Sequence, residues 1–252
     1  MLTATTCAYA SETYGFRQSA SGSTSVGLSA TASNPALAVD VADGWVETAV
    51  VPGPFGLAEL SLAGICLARA GKASGSVVGV EAMVSRAWHT IYGLGRMAWR
   101  LGSDADVGLC AIAGTSAGLG LSRVWFGSIN VGARWNVDSV WSVGATLSNI
   151  LSAGASPPPP RRLTIGVGRR LSTTTTTSVD AAVDPTAGLG VTAAVRLHVH
   201  PRLVCRVALQ HRPSILTLGV RTGVAASTDI LFDVEFVRDL GVRTRLAAAW
   251  LL

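Results

Sequence analysis

From about residue 45 onward the chain alternates apolar and polar side chains, segment after segment. In Leu240–Leu252 one face carries Leu240, Val242, Thr244, Leu246, Ala248, Trp250 and Leu252, and the other carries Arg243 and Arg245 among Gly and Ala. In Ile230–Phe236 the apolar face is Ile230, Phe232, Val234 and Phe236, against Asp233 and Glu235. Successive side chains of a strand point to opposite faces, so a period of two predicts strands with one oily and one charged side. The same pattern sets Val78, Val80, Ala82 and Val84 against Glu81, and Met97, Trp99 and Leu101 against Arg96 and Arg100. It also sets Trp125, Ile129, Val131 and Trp135 against Arg134, and Leu163, Ile165 and Val167 against Arg162 and Arg170. Leu189, Val191, Val195, Leu197 and Val199 oppose Arg196, His198 and His200.

The predicted strands are 45–51, 56–69, 76–87, 90–101, 106–114, 123–136, 139–150, 161–171, 178–184, 188–200, 202–211, 213–224, 229–238 and 240–252. That is about 14 antiparallel strands of roughly the 9–11 residues that a membrane strand needs. Before them, 11–35 is rich in Ser, Gly and Thr. Asn34 and Pro35 then read as N-cap and first position of a short helix.

Such strands suit either a sheet on a soluble core or a wall between lipid and a wet lumen. Composition separates the two. The chain has 252 residues, is 49% hydrophobic and only 14% charged, with a mean hydropathy of +0.43. Soluble domains carry roughly 25% charged residues. No run of 18 apolar residues offers a spanning helix, and lipid tolerates only helices and closed barrels. The expected fold is therefore all-β: an antiparallel transmembrane β-barrel over 45–252, with 11–44 as a plug or hatch in the lumen. Trp125 and Trp135, on one apolar face, lie about 33 Å apart at strand rise. Tilted, that matches the roughly 25 Å between aromatic girdles. Arg169 interrupts the apolar face of its strand and has to snorkel at the rim.

The net charge of +5 and the pI near 9.5 come almost wholly from arginine, since Lys72 is the single lysine. The arginines are spread one or two to a strand instead of forming a patch, which argues against nucleic acid. The lumen-facing candidates are Arg96, Arg100, Arg134, Arg162, Arg170, Arg196, Arg206, Arg221, Arg243 and Arg245. Asp233 and Glu235 are expected to pair with Arg243 and Arg245 across the last hairpin.

Other chemistry is sparse. Cys7, Cys66, Cys110 and Cys205 have neither metal nor disulfide spacing, and Cys205 reads as a small buried hydrophobe. His198 and His200 share a face, but nothing brings His89 or His211 to them, so no metal or other cofactor is expected. Gly114-Thr115-Ser116-Ala117-Gly118 matches G-x-S-x-G and resembles the nucleophile elbow of patatin-type lipases. That elbow needs a strand–turn–helix, and Leu119–Ser122 runs on towards another strand. A loop between strands is the expectation there. A catalytic role is not expected; Ser116 hydrolysis stands as an alternative, as does a soluble or surface β-sandwich binding module. Ala8-Tyr9-Ala10 has the form of a signal-peptidase site, which makes 1–10 the remnant of a signal peptide.

Several stretches resemble the outer-membrane FadL/PorV superfamily, including the PorV- and PorQ-type proteins of type IX secretion. They are Ala32-Ser33-Asn34-Pro35-Ala36, Pro160–Gly168 with its P-x-x-L-x-x-G-x-x form, His200-Pro201-Arg202-Leu203, Arg212–Gly219 and Asp239-Leu240-Gly241. The chain departs from that family by an incomplete leader and by ending in Leu252 in place of Phe. The resemblance implies a bacterial outer-membrane barrel of about 14 strands. It also implies an N-terminal segment entering the lumen at Asn34 and Pro35. The partners it implies are outer-membrane lipid, a hydrophobic or amphipathic solute, or secretion-system proteins.

Overall fold

A computed structural model describes residues 34–40, 44–118, 122–154, 160–185, 188–211 and 214–252. The expected signal-peptide remnant 1–10, Cys7, most of the 11–44 segment with Ala32 and Ser33, and Arg212 with Pro213 lie outside them.

Fourteen antiparallel strands close into one barrel. In chain order they are β1 (Trp45–Pro52), β2 (Ser61–Ala70), β3 (Ser74–Val84), β4 (Trp88–Leu101), β5 (Ala105–Gly118), β6 (Val124–Asn136) and β7 (Trp141–Ala153). They continue as β8 (Arg162–Arg170), β9 (Thr175–Asp184), β10 (Gly188–His200), β11 (Leu203–His211), β12 (Ile215–Ala225), β13 (Thr228–Val237) and β14 (Gly241–Leu251). Each strand pairs with its sequence neighbours, and β1 pairs with β14 from Trp45↔Leu251 to Val50↔Leu246. Closure leaves no strand edge unpaired, which a wall in lipid requires.

The period-two pattern sorts cleanly across this wall. Glu47 and Arg96 on the inward face are each 1% exposed, whereas Val78 and Leu209 on the outward face are 54% and 61% exposed. A soluble protein would place these the other way round. Charge inside and bare Val, Leu and Ile outside are stable together only when the outside is hydrocarbon.

The two ends differ. The end that holds the start of β1 and the end of β14 has connections of two to four residues. The far end has connections of three to eight, the longest between β1 and β2 and between β7 and β8. Outward-facing Trp99, Trp135, Trp141 and Trp250 all lie within two residues of a strand end at the terminus side, and Trp125 lies at the far rim. They form the aromatic girdle that marks a membrane–water boundary. Arg169 sits in that girdle, with its guanidinium 4.9 Å from the Trp141 ring centre. The stacking gives this cation a partner at the rim, where the sequence left it isolated on an apolar face.

Three expectations need correction. The second predicted strand, 56–69, starts only at Ser61, because Pro54–Gly56 forms a 3-10 turn with positive φ at Gly53 and Phe55. Gly114–Gly118 is not a loop but the last stretch of β5, extended and paired to β4 and β6. Cys205 is partly exposed on the outward face beside Leu203 and Val207; the buried cysteines are Cys66 and Cys110, on the inward face.

Candidate functional site

Inside the wall, Pro35–Asp40 forms a short 3-10 helix, η1, whose residues Pro35 to Val39 are buried. Pro35 supplies a preset φ. Asn34 caps the turn, its Oδ1 accepting from the Ala36 N–H at 3.0 Å, and its Nδ2 donates to the Ala133 carbonyl of β6 at 3.0 Å. Three strand glycines make the seat. A methyl group at Gly75 would overlap the Ala38 carbonyl, one at Gly108 would meet Pro35 and Ala36, and one at Gly132 would meet Asn34 and Pro35. The helix backbone thus lies directly against β3, β5 and β6, an approach that only glycine allows.

Asp40, the last residue of η1, ties it to the wall. Its carboxylate accepts from Arg134 (Nη2, 2.9 Å) and from Arg100 (Nη2, 3.4 Å). Those two arginines also share Asp106: Arg100 Nε at 3.1 Å and Arg134 Nε at 3.0 Å. Register explains the cluster, since Arg100, Asp106 and Arg134 are direct cross-strand partners on β4, β5 and β6.

Across the lumen lies a second ionic cluster. Asp233 and Glu235 of β13 stand directly opposite Arg245 and Arg243 of β14. Arg245 donates to Asp233 at 3.1 Å and also pairs with Glu47 of β1, while Arg243 pairs with Glu235. All five side chains are almost fully buried. Arg96 and Arg206 are each 1% exposed at the same waist. Towards the far end part of the inward face, on β1 to β4, is apolar: Val51, Leu62 and Met83 pack together with Leu60 and Trp88, and Tyr92 hydrogen-bonds Glu81 just below. Arg162 stands at the start of β8 on that far side, partly buried.

Above the waist on the terminus side is a cavity of about 950 Å³, floored by Leu37, Asp40 and Glu47. Arg100, Arg134, Arg170, Arg196 and Arg221 line it, with His198. Arg221 Nε donates to Asp229 at 2.7 Å. The histidines do not gather: His198 stands in this mouth, His200 accepts from the Arg202 N–H at 3.3 Å in the next turn, and His89 and His211 belong to the far end.

Ser116 is buried on the inward face of β5, its Oγ 2.7 Å from Thr90 Oγ1. Ser116 lies within extended β5 and not on the sharp turn that holds a nucleophile elbow's serine.

Sequence reasoning did not single out Asp40, Glu47 or Asp106, although each anchors an arginine. Asp40 and Glu47 carry no local signal, since their partners lie between 60 and 198 residues away; Asp106 sits six residues from Arg100 across a hairpin, and only the register shows that it also meets Arg134.

No family model matches the chain, and no curated protein sequence matches it. Solved structures do resemble it. The Ralstonia pickettii toluene transporter TbuX superposes with a TM-score of 0.66 at 11% identity, over 94% of this chain and 97% of that one. The CymD monoaromatic hydrocarbon channel gives 0.65 at 10% identity, over 87% and 91%. A Pseudomonas aeruginosa FadL homologue gives 0.61 at 10% identity, over 94% and 97%. At such identity the likeness is one of fold: the closed 14-strand barrel of FadL-type outer-membrane proteins.

Proposed function

We propose that this protein is a bacterial outer-membrane barrel of the FadL type that passes hydrophobic or amphipathic small molecules without catalysing a reaction. The observation that carries the reading is an apolar patch on the inward face: Val51, Leu62, Met83 and Trp88 pack together towards the far end, while charge and the η1 plug occupy the waist. A purely polar pore would have no use for an oily patch inside its wall. The short-turn end that holds both barrel termini is assigned to the periplasm and the far end to the cell exterior, the usual arrangement of such barrels. The residues 11–44 act as the hatch, and Arg96, Arg100, Arg134, Arg206, Arg243 and Arg245 hold the waist around it. The fold neighbours named for toluene and monoaromatic hydrocarbons support this solute class.

The test has two stages. Detergent refolding should give a β spectrum and a heat-dependent gel mobility. Expression in a host lacking its own hydrocarbon transporter should then raise whole-cell uptake of labelled toluene or a labelled amphiphile. Uptake equal to that of the empty host, with the barrel present and folded, would remove the transport reading.

The packed waist favours a second reading, a structural component of a secretion system such as type IX. Its mark would be a stoichiometric complex with other outer-membrane proteins and no solute uptake.

A further inference from the structure

The arginines of the terminus-side mouth are not all balanced. Around the 950 Å³ cavity the inward-facing arginines are Arg100, Arg134, Arg170, Arg196 and Arg221, and the lining carboxylates are Asp40, Glu47, Asp138 and Asp229. Arg100 and Arg134 share Asp40 and Asp106, and Arg221 holds Asp229. Arg170 and Arg196 have no carboxylate within ion-pair distance among the described residues, and the Arg196 Nε is buried without a hydrogen-bond partner there. Register places them together. Arg170 of β8 is opposite Thr176 of β9, and Thr176 is opposite Arg196 of β10, so all three share one inward row. Arg170 and Arg196 are therefore two strand spacings apart, about 10 Å between Cα atoms. Two arginine side chains at that separation can close on one group between them, with the Thr176 hydroxyl beneath.

We propose that this mouth is an oxyanion-binding site, built on Arg170 and Arg196, that takes a phosphate group. Two neighbouring uncompensated cations are neutralised by a dianion, which a carboxylate is not. The guanidinium fork matches the oxygens of a phosphate in bidentate fashion. The cavity is far larger than one phosphate, and Leu37, Trp45 and Leu231 give it an apolar flank. The phosphate can therefore arrive free or on an organic body, including a lipid headgroup. The site stands whether or not a hydrophobic solute crosses the barrel.

The detergent-refolded full chain is titrated calorimetrically with inorganic phosphate, glycerol phosphate, phosphatidic acid in mixed micelles, and acetate, all at matched ionic strength in chloride. The expected result is saturable one-to-one binding of a phosphate species, weakened about tenfold by either Arg170→Gln or Arg196→Gln and lost in the double variant. Binding of the soluble phosphates assigns the site to a free phosphate group. Binding of phosphatidic acid alone assigns it to a headgroup. No saturable binding of any phosphate by the folded wild type, acetate binding as tightly, or undiminished binding by the double variant with native gel mobility overturns the proposal. Should the double variant not fold, Arg170→Gln, whose side chain is exposed at the rim, gives the same reading alone.

Discussion

The waist and the mouth of this barrel use the same residue type to opposite ends. At the waist Arg245 lies between Glu47 and Asp233, and Arg243 meets Glu235, all buried. Only a few strand residues away, Arg170 and Arg196 line the mouth cavity with no acid within ion-pair distance among the described residues, Asp40 acting on Arg196 only from farther off. An arginine locked by carboxylates on its neighbouring strands holds the wall and fills the lumen. One without such a partner keeps its charge available to a ligand. The difference lies in the neighbours around the ring and not in the residue, its strand or its orientation.

The largest effect is expected from breaking the waist. Arg245→Met leaves Glu47 and Asp233 buried without their shared cation, and removing one member of a buried ionic group costs about 3–5 kcal/mol. Urea titration of the refolded barrel, followed by gel mobility, should show that loss. A change under about 1 kcal/mol would mean the cluster is hydrated and not structural.

Next comes the floor between the two regions. Gly132→Val places methyl groups where Asn34 and Pro35 lie, an overpacking of about 1–3 kcal/mol. Relief comes by displacing η1, so a cysteine placed at Leu37 should label faster with a water-soluble maleimide in this variant. Equal labelling would show that the wall yields and not the helix.

Asp40→Asn tests the tie between η1 and the mouth. Its carboxylate is 41% exposed, so the stability cost should stay below about 1 kcal/mol. Arg100 and Arg134 then share Asp106 alone and the mouth loses one negative charge, so phosphate affinity should rise severalfold in the same titration. A fall would place Asp40 on the ligand's side of the balance.

The smallest stability effect belongs to Arg196→Met. It removes a cation that has no ion pair among the described residues, so the stability should shift by less than about 0.5 kcal/mol. A loss as large as that of Arg245→Met would erase the distinction between mouth and waist.

Much of this was legible in the linear pattern. Alternation alone placed Arg96, Arg134 and Arg245 on one side of the wall and Val78, Trp135 and Leu246 on the other. The side-chain period of a strand is two whatever the strand pairs with. The shortage of charge said that the oily side faced lipid, and the turn residues set the strand number. Asn34-Pro35 announced a helix start because a cap and a preset φ are local chemistry. Only the tertiary structure decided which inward side chains meet. Glu47 reaches Arg245, 198 residues away, solely because β1 closes on β14. Gly75, Gly108 and Gly132 form a seat only because their registers bring them beneath the same helix turn. Alternation tells each residue which side of the wall it faces. Closure and register set its neighbours around the ring, and those contacts, made across long stretches of chain, separate the arginines that brace this barrel from the two left open at its mouth.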